Sequence, residues 1–238
     1  MTGSSARIQE QPAAAREGGA IRVDVWVDVA CPWCYIGKRR LERALGMVGD
    51  VRAEVTWRSF QLDPGAPRFG EPGAGGLAEE YLARKLGVGL EGARELNARV
   101  SALAAAEGLT YRLDRARHAN TFDAHRLLQA AREAAAADEL VERLFRAQFS
   151  EGARLDDPAV LRELAAAAGM DAEAVDRVLA SDAYSDAVLA DLREAARRGV
   201  RGVPFFSFGD GPAVTGAQSA ELLADALRAA AGVKSNSP

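Results

Sequence analysis

Cys31 and Cys34 are the only cysteines in 238 residues, and they are separated by Pro32 and Trp33. A pair at this spacing has three chemistries open to it. Zinc needs four ligands, and the two histidines, His118 and His125, lie far along the chain without a second closely spaced pair. No metal is expected. Two inert core thiols would bracket a proline and a tryptophan only by coincidence. Thiol–disulfide exchange uses every feature, because one sulfur attacks as a thiolate and a second nearby resolves the adduct.

The neighbouring elements decide which sulfur does which. Residues 21–29, IRVDVWVDV, alternate aliphatic residues with other types, the period of a strand with one buried face. From Pro32 to about Leu45 the period becomes helical, with Cys34, Lys38, Leu41 and Leu45 on one stripe and Pro32 suited to the first turn. Cys31 therefore sits where unpaired N–H groups and the helix dipole stabilise a thiolate, and is the expected nucleophile. Cys34 lies deeper on the apolar stripe and is the expected resolving thiol. Trp33 falls off that stripe, either as an aromatic surface beside the attacking sulfur or as packing.

Residues 51–57 alternate again and complete a β-α-β unit. The run from Asp63 to Gly76, rich in proline and glycine, then breaks both periods and marks a boundary. From Leu77 to Leu192 the chain is rich in Ala, Leu and Arg with helical periodicity, and Asp157 and Asp171 are placed as helix caps. Residues 203–208 and 213–215 around Gly209–Pro212 predict a β-hairpin, followed by an amphipathic helix over about 219–231.

Composition narrows the setting. With 48% hydrophobic and 27% charged residues the chain can bury a core without a disulfide. A net charge of −4 offers no basic field, so nucleic acid is not an expected partner. Residues 1–20 lack the apolar core of a secretory signal, and no later run is long enough for a membrane span. A cytoplasmic location is the expectation, and there a close cysteine pair is more often reactive than structural.

Taken together, CPWC at a strand–helix junction, the helical block, NTFDAHRL at 120–127, GVRGVPFF at 199–206 and TGAQ at 215–218 resemble the DsbA-type thioredoxin-fold oxidoreductases, in particular their FrnE-like branch. The resemblance spans roughly residues 21–231. It implies an α/β fold, a thioredoxin domain with an all-helical insertion: a disordered tail over 1–20, the domain's first part over 21–65, the insertion over 66–192, the second part over 193–232 and a tail over 233–238. It also implies a cis peptide between Val203 and Pro204 opposite the cysteines. A proline there removes a donor beside the sulfurs and would leave the Val203 backbone turned outward for a substrate strand. Two departures bear on chemistry. Trp33 stands where the periplasmic oxidase DsbA carries a histidine, and the second cysteine pair of some relatives is missing.

Further candidates stay open. Asp28, three residues before Cys31, is either a proton acceptor for Cys34 or, like Asp24, a solvent-facing residue of the strand. His125 either faces the sulfurs across the domain interface or makes one structural hydrogen bond. Lys38, Arg39 and Arg40 are read as a solvated face. The expected activity is disulfide oxidoreductase or isomerase, acting on protein or peptide disulfides and recycled by an external thiol or reductase. No cofactor is expected beyond the dithiol itself. The rival is a thiol-dependent small-molecule enzyme, since the architecture also resembles kappa-class glutathione transferases and 2-hydroxychromene-2-carboxylate isomerase. Those relatives generally lack the second cysteine.

Overall fold

The alternation over residues 21–27 produces strand β1 (Ile21–Val27), but burial is not confined to one face. Val23, Val25 and Val27 are buried, and so are Asp24, Trp26 and Asp28. Asp24 is therefore not in solvent as expected, and of the two alternatives for Asp28 the solvent-facing one fails, because helices cover both faces of the sheet. The computed structural model describes residues 20–49 and 51–232; the expected tails over 1–20 and 233–238 lie, apart from Ala20, outside the described residues.

Among the described residues four strands form one sheet in the order β2-β1-β3-β4, with β2 (Ala53–Ser59) parallel to β1, β3 (Phe205–Phe208) antiparallel to β1 and β4 (Ala213–Thr215) antiparallel to β3. On one face lies α1 (Pro32–Met47), packed against the last helix, Ala220–Ala230. Phe206 and Phe208 pair with Val25 and Val23 and are fully buried. Each such side chain contributes about 1.5–3 kcal/mol on removal from water.

Between β2 and β3 the chain runs through α2 (Ala78–Leu86), α3 (Leu90–Ala106), α4 (Phe122–Glu133), α5 (Ala137–Arg146), a π-helical turn at Ala147–Glu151, α6 (Pro158–Ala167), α7 (Ala172–Leu179) and α8 (Ser185–Arg197). The final helix at Ala220–Ala230 is α9. Asp157 and Asp171 accept from the N–H groups of Ala159 and Ala174 and cap α6 and α7. Helix α8 is continuous through Leu192 and covers the second face of the sheet. There Trp26 Nε1 donates to the Asp191 carbonyl at 3.2 Å, and Arg58 bridges Asp24 at 2.8 Å and Asp191 at 3.0 Å. Gly199, at φ +69°, ends this helix and turns the chain toward β3.

Lys38, Arg39 and Arg40 are not a solvated face. Lys38 is 2% exposed and pairs with Glu42, with Glu142 at 3.2 Å and with Asp138 at 3.6 Å. Arg39 pairs with Glu142, and Arg40 with Glu107 at 2.7 Å. The basic residues of α1 thus meet carboxylates of α5 and of the turn after α3. Periodicity placed Lys38 on the buried stripe but could not show that acids from the insertion would be waiting there.

Candidate active site

Strand β1 delivers the site through a tight turn. The Asp28 carbonyl accepts from Cys31 N at 2.9 Å, and its carboxylate Oδ1 accepts from Ala30 N at 3.1 Å. Cys31 is the N-cap of α1, in extended conformation at φ −95° and ψ 113°, and Pro32 opens the helix. Its side chain lies beside the end of the helix where N–H groups lack intrahelical partners. Cys34 follows within the first turn, its N–H bonded to the Cys31 carbonyl at 3.0 Å. Both thiols are free, with Cys31 4% exposed and Cys34 fully buried.

Burial pushes the Cys34 thiol well above its ordinary value of 9.0, and the neighbouring Cys31 adds to the rise. A backbone hydrogen bond from Asp28 acts the other way. At neutral pH Cys34 therefore holds its proton.

Opposite the sulfurs, the Val203–Pro204 peptide bond is cis. The Cys31 thiol donates toward the Val203 carbonyl at 3.6 Å, so that carbonyl is directed at the sulfur and not outward as the resemblance implied. The Pro204 carbonyl accepts from Gly216 N at 2.8 Å, and Arg40 Nη1 donates to the Ala217 carbonyl at 2.5 Å. The 215–218 turn thus ties the proline loop to α1. Gly37 lets the two surfaces meet, since a Cβ there would stand 2.8 Å from Pro204 Cγ and 3.2 Å from Phe206 Cζ.

Asp28 and His125 arrive from different parts of the chain. The Asp28 carboxylate is buried and also accepts from Leu62 N at 2.7 Å. His125, on α4, is fully buried, and its Nε2 lies 3.6 Å from Asp28 Oδ1. Among the described residues neither ring nitrogen has a hydrogen-bond partner. Asn120 anchors the start of α4, accepting from Phe122 N at 3.0 Å and donating to the Ala66 carbonyl at 2.8 Å. Of the candidates, Cys31, Pro32, Cys34, Asp28, His125, Val203 and Pro204 converge on one spot. Trp33 is turned out, 38% exposed.

Two residues escaped the sequence reading. Gly37 is one, and a glycine inside a helical run was the available signal. The other is Tyr111, from the loop after α3, whose hydroxyl donates to the Pro32 carbonyl at 2.7 Å and whose ring stacks on Tyr35. Burial first, then the nearby Cys31, pushes its phenol upward. Nothing in the local sequence distinguishes it from any loop tyrosine. Beside Pro32 opens a cleft of about 260 Å³ lined mainly by apolar groups, including Ala30, Leu62, Leu82 and Leu86. The stacked rings of Tyr81 and His118, 3.7 Å between centroids, also line it.

A dithiol at a strand–helix junction, a cis-proline loop against it and a helical insertion between β2 and β3 define a thioredoxin-fold protein of the DsbA type. The chain belongs to the DSBA-like thioredoxin domain family, whose sequence model matches residues 22–228. The crystal structure of a probable DsbA oxidoreductase from Streptomyces coelicolor is 42% identical, covers 92% of this chain and 93% of its own, and superposes with a TM-score of 0.84. A Bacillus subtilis protein, YwbO, itself uncharacterised, is 26% identical over 80% of this chain and 88% of its own length. A 2-hydroxychromene-2-carboxylate isomerase structure, 22% identical, shares the fold at a TM-score of 0.62 over 90% of this chain and all of its own.

Proposed function

We propose that this chain is a thiol–disulfide oxidoreductase or isomerase of the FrnE-like branch, acting in the cytoplasm on protein or peptide substrates. The observation that carries this reading is the pairing of Cys31, at the helix N-cap and 3.6 Å from the Val203 carbonyl, with a fully buried Cys34 in the turn below. Cys31 attacks as thiolate and forms a mixed disulfide, releasing one substrate sulfur with the bonding electron pair. Cys34 loses its proton and attacks Cys31, forming the internal disulfide and releasing the second substrate sulfur as a thiolate. An external thiol or reductase then returns two electrons to the pair. Asp28, anchored by backbone N–H groups beside Cys34, is the acceptor for the second step. Pro32, Val203 and Pro204 frame the sulfurs, and Trp33 offers the substrate an aromatic surface. The likeness to a probable DsbA oxidoreductase supports the same reading.

A second reading, a thiol-dependent enzyme acting on small molecules, draws support from the largely apolar cleft beside Pro32. One experiment separates the two. In Cys34→Ser the mixed disulfide on Cys31 forms but is not resolved, so it persists under non-reducing conditions. Mass spectrometry of the trapped species from cell extract is expected to show proteins linked to Cys31. A low-molecular-weight thiol alone would favour the second reading, and no adduct with any disulfide would end the first.

A further inference from the structure

We propose that His125 is the proton partner of Asp28 during closure of the Cys31–Cys34 disulfide, a positioning residue that acts on Cys34 through that carboxylate. The inference rests on the dithiol reading above. A fully buried imidazole with both nitrogens unpartnered is rare in native interiors and asks for a reason. The reason offered by the structure is the carboxylate 3.6 Å from Nε2, close enough that once Asp28 carries a proton a shift of a few tenths of an ångström lets it donate to an unprotonated Nε2.

The placement is held from both sides. Ala30 N and Leu62 N grip one oxygen each of Asp28, which pins the carboxylate plane with Oδ1 toward α4. Asn120 fastens the start of α4 to the loop after β2, and Arg126, next to His125, donates to the carbonyls of Val178, Ser181 and Ala183. The stretch NTFDAHR therefore sets the imidazole against Asp28. Cys31 and Cys34 on α1 and Lys85 on α2, whose charge reaches Asp28, are the other titratable groups that bear on the pair.

The chemistry follows from what Cys34 must lose. Its proton passes from Sγ to Asp28, and onward to Nε2 of the neutral imidazole. Both oxygens of Asp28 already accept a backbone N–H, and Oδ1 faces Nε2, so His125 is the group placed to take the proton onward. The Cys34 sulfur then bonds to Cys31 as the bond from Cys31 to the substrate sulfur breaks. The departing sulfur takes the bonding pair and leaves as a thiolate; the imidazolium then returns its proton through Asp28 to that thiolate or to solvent, which restores the neutral ring.

Reduced protein mixed at pH 7 with 5,5′-dithiobis(2-nitrobenzoate) reads the two steps separately. The first aryl thiolate released reports attack by Cys31, and the second reports closure by Cys34. His125→Gln is expected to lower the ratio of second to first rate by about tenfold, the usual scale for a supporting partner. Asp28→Asn should lower it further, and the double variant should be no slower than Asp28→Asn alone. Far-UV circular dichroism and a urea melt confirm that each variant is folded before its ratio is compared; if His125→Gln fails to fold, His125→Asn carries the same comparison. A wild-type ratio in His125→Gln, whose amide still donates to Asp28, would reduce the histidine to a structural donor and overturn the proposal. So would fully multiplicative effects in the double variant. Absence of the first release from wild type would strike the dithiol reading itself.

Discussion

At the scale of the residue, the two thiols differ because one crowns a helix and the other is sealed beneath it. Cys34 is raised in the fold by burial and by Cys31, so the folded state holds this proton more tightly than the unfolded chain. Its contribution to stability is present below the ordinary value of 9.0 and is lost as pH rises toward the folded value. Reduced wild type should therefore lose stability between pH 9 and pH 10, by up to about 1.4 kcal/mol per pH unit, relative to Cys34→Ala. Urea melts of the two proteins across that range check this; parallel curves would contradict the assignment. Tyr35 and Tyr111, also raised above their ordinary value of 10.0, begin to lose their own contribution near pH 10, and the comparison with Cys34→Ala cancels it because both proteins carry them.

At the scale of the element, α1 does three jobs with three faces. Its N-terminus presents Cys31, its cations meet acids of the insertion, and Gly37 gives way to the proline loop. A glycine inside a helix is ordinarily a weakness of about 1 kcal/mol relative to alanine. Here the gain from alanine is outweighed, because its methyl would stand 2.8 Å from Pro204 Cγ. Gly37→Ala is expected to destabilise the protein by about 1–3 kcal/mol, the range for overpacked cores. Denaturant titration measures the loss, and a stabilised variant would show that the proline loop can retreat freely.

At the scale of the whole molecule, the insertion is fastened to the thioredoxin part through buried polar contacts as well as apolar ones. Tyr35 donates to Glu142 at 2.6 Å, Trp57 to Asp138 at 3.1 Å, Tyr111 to Pro32 at 2.7 Å, and Gln129 to Ser59 at 2.8 Å. One core cluster runs from Val25 and Phe206 of the sheet to Leu140 and Phe145 of α5. The two parts are expected to unfold together. The three tryptophans, Trp26, Trp33 and Trp57, all lie before the insertion, whereas most helix lies within it. Tryptophan emission and helical circular dichroism should therefore give coincident urea midpoints, and separated midpoints would reveal two independent units.

The strand–helix junction, the order of elements and the caps at Asp157 and Asp171 were legible in the amino-acid sequence, because they depend on local periodicity and on short-range hydrogen bonds. The placement of the cysteine pair was legible for the same reason: spacing along one helix start is a local property. What surrounds it is not. Asp24 and Asp28 alternate with valines as solvent-facing residues would, yet β2 sets Arg58 against Asp24, and α8 and α4, more than ninety residues later in the chain, bring Asp191 and His125 into the neighbourhood of that face. Lys38 to Arg40 had the pattern of an exposed basic patch until Glu107 and Glu142 folded onto them. Tyr111 over Pro32 and Gly37 under Pro204 have meaning only once loops distant in sequence are packed together. Local sequence determined where the cysteine pair sits and the elements that carry it; burial, charge pairing and the groups packed around the sulfurs were decided by long-range packing, which no local pattern encodes.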